Sequence, residues 1–141
     1  MVVDTSGQPV AGAVVSVVVR GVRATAPSGT LAQLGQRNKQ FEPTLLVVQT
    51  GTLVNFPNFD TVRHHVYSFS PTKTFELKLY AGTPAAPVVF DKPGVVVMGC
   101  NIHDPMVAYV VVSDTPWVGV SDAAGQVRID GAPAGEYELE Y

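Results

Sequence analysis

With one cysteine in 141 residues the chain has no internal disulfide framework, so its fold must rest on a hydrophobic core. Its redox compartment likewise cannot be read from cysteine counting. Charge is scarce as well: 15% of residues are Asp, Glu, Lys or Arg, the net charge is −3, and neither sign forms a run. There is no electrostatic footprint for nucleic acid or anionic lipid, and neither partner is expected. Long apolar runs are missing too. Val14 to Val19, broken by Ser16, and Met106 to Val112 fall far short of the roughly 20 residues a bilayer-spanning helix needs, so no membrane insertion is expected. The opening Met1-Val2-Val3-Asp4 has no charged segment followed by an apolar one, which reads as a chain whose signal peptide has been replaced by Met1. A Ser-His-Asp pattern, a phosphate-cradling Gly loop and a second metal cluster are also lacking, so the expectation is not an enzyme. The carboxylates near turns, Asp60, Asp91, Asp104 and Asp114, are expected to be solvated loop residues.

What is present points to β structure. Apolar residues make up 46% of the chain, and Val, Thr, Tyr and Phe recur without a long helical stripe of Leu and Ala. Short apolar or alternating runs at Ala13 to Val19, Phe41 to Val48, Thr52 to Phe56, His65 to Phe69, Thr74 to Tyr80, Val95 to Gly99 and Val107 to Val112 are separated by Gly, Pro, Asn and Ser. Residues 21–37, rich in Gly, Ala, Ser and Thr, read as a surface connection. In the tail, Val127-Arg128-Ile129 and Tyr137-Glu138-Leu139 between turns suggest a hairpin. Strands this short and frequent predict an all-β sandwich.

The segment Cys100-Asn101-Ile102-His103-Asp104-Pro105-Met106 joins two of these strands and sets a thiolate, an imidazole and a thioether at three-residue intervals. Each of these residues taken singly reads as core or as a hydrogen-bonded structural group. Together, with His64-His65 upstream at another strand end, they offer a mixed soft and nitrogen donor set. Two imidazoles with thiolate and thioether select copper, and a trigonal His₂Cys set with a long axial Met is the geometry linked to one-electron transfer. Zinc gains little from a neutral thioether, and structural zinc sites use four strong ligands. Successive strand side chains point to opposite faces, so only one of His64 and His65 can face inward, and local pattern does not choose between them.

These motifs resemble the cupredoxin family. His64-His65-Val66, Cys100 to Met106 with its short amicyanin-like spacing, Phe41-Glu42-Pro43, Gly51-Thr52-Leu53-Val54, Phe56-Pro57-Asn58 and the Phe90 to Gly94 turn carry the resemblance. His64 to Ser70 and Gly99 to Asp104 are more closely similar to bacterial methylamine utilization and cupredoxin-domain proteins. The resemblance implies a Greek-key β-sandwich and one copper ion cycling between Cu(I) and Cu(II), held by His64, Cys100 and His103 with Met106 axial. It also implies a periplasmic setting and electron exchange with a redox partner protein. Where the family has Asn after the first ligand stands His65, which could tie the ligand loops together or itself bind. Copper storage or delivery and a metal-free binding module are the competing functions. The ends, Asp4 to Ala13 and Ser121 to Tyr137, resemble the start and finish of a carboxypeptidase regulatory-like sandwich. The expected organisation is therefore residues 1–20 and 116–141 as such strands, 21–37 as connection and 38–115 as the copper domain.

Overall fold

The computed structural model describes residues 1–84, 86–100, 106–135 and 137–141. In chain order its strands are β1 (Val14–Val18), β2 (Leu31–Gln33), β3 (Gly35–Arg37), β4 (Gln40–Glu42), β5 (Leu45–Gln49), β6 (Thr52–Asn55) and β7 (His64–Ser70). They continue with β8 (Lys73–Tyr80), β9 (Val88–Phe90), β10 (Gly94–Cys100), β11 (Val107–Ser113), β12 (Val118–Val120) and β13 (Glu138–Glu140). No helix occurs among the described residues, so the fold is all-β. The chain divides into two compact units, residues 25–112 and residues 1–24 with 113–141.

In the unit of residues 25–112, β5-β11-β10-β7-β8 form a five-stranded sheet, β2-β6-β9 a three-stranded sheet and β3-β4 a hairpin. Strand alternation sends Val66 and Ser68 of β7, Val96, Met98 and Cys100 of β10, and Ala108, Val110 and Val112 of β11 to the buried side. Opposite them, Leu34, Val54, Phe56 and Phe90 complete one cluster. Phe56, Phe75 and Phe90 meet across the sandwich, with ring centroids 5.5 to 6.4 Å apart. Tilted and edge-on rings of this kind add to the apolar burial that holds the sheets together.

Residues 21–37, read as a connection, contribute β2, which pairs parallel to β6, and β3. Three-residue strands with polar Gln and Arg carry too little alternation to be seen in a sequence. The β3–β4 turn consists of Asn38 and Lys39, both left-handed with φ of 54° and 57°, the conformation a two-residue type I′ hairpin requires. Phe41 to Val48 is two strands, not one, with a cis bond at Glu42–Pro43 between them.

In the other unit β1 lies between β12 and β13, antiparallel to both. The expected strand at Val127-Arg128-Ile129 does not form; that stretch is irregular, and among the described residues after it Glu138–Glu140 forms a strand. Asp4 and Asp122 each fold the chain back on a carboxylate oxygen, accepting from Ser6 and Gln8 in one case and from Ala124 and Gln126 in the other. Gly125, at φ 76°, closes the second turn where a Cβ would collide with the Val2 carbonyl.

Candidate metal centre

The register of the five-stranded sheet brings two of the candidate donors together. Cys100, the last residue of β10, lies opposite Val66 of β7. His64 is two residues before Val66, hence on the same face and diagonal to Cys100. A register shift between β7 and β8 falls at this point, between His64 and Val66. Both side chains are sealed from solvent, His64 at 0% exposure and Cys100 at 2%. His64 Nδ1 lies 3.5 Å from Cys100 Sγ. Nitrogen and sulfur donors about 2.0–2.3 Å from one ion at near-tetrahedral angles are about 3.5 Å apart, so the pair is spaced as two ligands of a common metal would be. His65, in the opposite phase, faces the other side of the sheet, where Nε2 is 3.1 Å from Glu76 Oε1 and the ring meets Tyr67 edge-on at 6.4 Å. Of the two neighbours, it is His64 that meets the cysteine.

Met106 is buried at 4% exposure, just before β11, in the same apolar cluster as Cys100. His103 lies outside the described residues, as do Asn101, Ile102, Asp104 and Pro105. Among the described residues no group of three or more His, Cys, Asp and Glu side chains is placed to hold a metal ion.

Asp60 corrects the sequence reading. Far from being a solvated loop carboxylate, its side chain is 11% exposed and its Oδ2 lies 2.7 Å from His64 Nε2. The β3–β4 turn closes on the same carboxylate, Asn38 N donating to Oδ1 at 2.6 Å and Lys39 N to Oδ2 at 3.0 Å. Burial opposes its ionisation, but the bonds from His64, Lys39 and Asn38 outweigh burial and hold the carboxyl below the ordinary aspartate range. A depressed folded value means that the stability from this ionised group is complete above the ordinary pKa of about 3.9 and is lost as the pH falls through the lower folded value. Asn58 fixes the loop that presents Asp60: its Nδ2 donates to the carbonyls of Val62 and Tyr80, and its Oδ1 accepts from Asp60 N.

Below the pair, Tyr80 sits opposite His64 on β8. Its hydroxyl lies 2.7 Å from the Phe56 carbonyl and 2.9 Å from Gln36 Oε1, and the fully buried Gln36 returns Nε2 to the same carbonyl at 3.3 Å. Burial pushes the Tyr80 phenol up; the Gln36 bond opposes this and the nearby Cys100 adds to it, so the phenol remains a neutral donor. Tyr80→Phe leaves Gln36 Oε1 without this donor and is expected to cost about 1–3 kcal/mol, read as a lower urea midpoint with unchanged slope. An unchanged midpoint contradicts this bonding.

Among solved structures the chain is similar to the copper-containing nitrite reductase NirK from Thermus scotoductus SA-01, with 23% identity and a TM-score of 0.55. That likeness covers 71% of this chain and only 26% of the reductase. A purple cupredoxin from Nitrosopumilus maritimus matches at 26% identity and a TM-score of 0.50, over 58% of this chain and 99% of its own. A reduced single-site mutant of amicyanin matches at 18% identity and a TM-score of 0.52, over 70% and 98% respectively. No family model matches the sequence, and no curated protein does. These likenesses identify the fold as that of the cupredoxins.

Proposed function

We propose that this chain, with its cupredoxin fold, binds one copper ion through His64, Cys100, His103 and Met106 and carries single electrons to and from a redox partner protein in the periplasm. The observation that carries the reading is the sealed His64–Cys100 pair, with Nδ1 and Sγ 3.5 Å apart on neighbouring strands. The buried thioether of Met106 next to the loop supports a soft, copper-selecting donor set. Copper supplies the one-electron redox couple. The chain's part is to hold the donors in one geometry for both oxidation states: the two strands fix His64 and Cys100, and their burial excludes water from them. The same burial favours electron carriage over storage or delivery, which needs an exposed, exchangeable ion. Adding Cu(II) to the metal-free protein is expected to saturate at one equivalent and to be followed by slow release to a chelator. Absence of saturable binding contradicts the copper reading, and rapid release contradicts the carrier reading.

For the chain ends we propose a carboxypeptidase regulatory-like β module into which the copper domain is inserted. This is supported by the first and last segments forming one compact unit in which β1 pairs with both β12 and β13.

A further inference from the structure

We propose that Asp60 and the two amides of the β3–β4 turn are a positioning device that fixes the tautomer of His64, keeping the ring proton on Nε2 and the lone pair on Nδ1, toward Cys100. The inference rests on the copper reading for its purpose, because a metal ligand must offer a lone pair where the metal binds. Its physical content belongs to the metal-free chain.

A carboxylate has acceptor sites only, and the described groups that contact this one are donors or can be. Asn38 N–H points at Oδ1, and Lys39 N–H points at Oδ2. Backbone amides cannot exchange donor for acceptor, so they demand acceptors at both oxygens. Oδ2 then meets His64 Nε2 at 2.7 Å as an acceptor, and the ring must donate there. A neutral imidazole has one N–H, so Nδ1 carries the lone pair, 3.5 Å from Sγ. The shape of the turn suits this role, because consecutive left-handed residues aim two successive N–H groups at one anion, 21 and 22 residues along the chain. Orientation of a candidate ligand is thereby set by a hairpin the metal does not touch, the relation general to metal-bound histidines and their outer partners.

Asp60→Asn is the informative change because it keeps the shape and spoils the logic. An amide has one oxygen, so one of its two positions must face a turn amide with an NH₂ group. The shorter contact, at Asn38, favours placing the oxygen there, and the NH₂ then donates to His64 Nε2 and moves the ring proton to Nδ1. The double variant Asn38→Gly with Lys39→Gly retains both amides and tolerates the positive φ, so it is expected to leave the tautomer as it is.

The test is long-range ¹H–¹⁵N correlation of the His64 ring in the metal-free protein at mildly alkaline pH. Wild type and the double glycine variant are expected to show the proton on Nε2, and Asp60→Asn to show loss of that tautomer in a folded chain. Titration with Cu(II) alone is expected to give 10- to 100-fold weaker binding for Asp60→Asn. A wild-type ring protonated on Nδ1, which needs no variant to detect, overturns the inference, as does an Asp60→Asn chain that keeps the Nε2 proton. If the tautomers behave as stated and wild type binds no copper, the positioning device stands and the copper function falls.

Discussion

Cys100→Ser is expected to abolish the intense visible absorption of the copper-loaded protein while leaving the chain folded. Only a thiolate among the candidate donors is soft and electron-rich enough to give strong charge transfer to Cu(II), and the chain has one cysteine. Serine is close in shape, but its hydroxyl does not ionise at neutral pH and is a hard donor. Position 100 is 2% exposed, and burying a hydroxyl there costs free energy that donation to His64 Nδ1 offsets only in part, because the shorter C–O bond sets the oxygen back from the ring, so a modest loss of about 1–3 kcal/mol accompanies the spectral change. The measurement is paired: absorption after Cu(II) addition, and far-ultraviolet circular dichroism for the fold. A Cys100→Ser chain that keeps the band has a different chromophore, and the role given to Cys100 is wrong.

Phe56→Ala is expected to cost about 3–5 kcal/mol, the largest effect on stability of any change considered. The ring is almost wholly buried and sits between Phe75 and Phe90 at the junction of the two sheets. Removing it opens a cavity that neighbouring strands cannot close without breaking register. The loss extends toward the candidate centre, because the Phe56 carbonyl receives Tyr80 and Gln36, and the next residues lead through Asn58 to Asp60. Phe69→Ala is the contrast: at 70% exposure its removal should change stability by less than about 0.5 kcal/mol. Urea denaturation of both variants checks the pair, and similar midpoints contradict the assignment of the core.

The all-β class and the long strands of the five-stranded sheet were legible because β10 and β11 are short apolar runs bounded by Gly, Pro and Ser, and β8 alternates apolar with polar residues, the period of a half-buried strand. The Cys100 to Met106 segment was legible as chemistry through residue types and spacing. The choice of His64 over His65 was not, because it depends on the phase of β7 against β10, a cross-strand register that a single chain does not display. Asp60 escaped for a related reason: its partners His64, Asn38 and Lys39 come together only when the β3–β4 hairpin packs against the loop after β6. Gln36, polar yet fully buried, was likewise invisible, since what satisfies it is a tyrosine 44 residues away. The irregular course of residues 127–129 shows the reverse failure, a triplet containing Val and Ile that pairs with no strand among the described residues.

The most direct test of the central claim is the visible absorption and electron paramagnetic resonance of the wild-type chain loaded with one equivalent of Cu(II). The expected result is an intense visible thiolate band, bleached on reduction, together with a copper signal of unusually small parallel hyperfine splitting. A pale solution with only weak ligand-field absorption and ordinary, wide hyperfine splitting would contradict it.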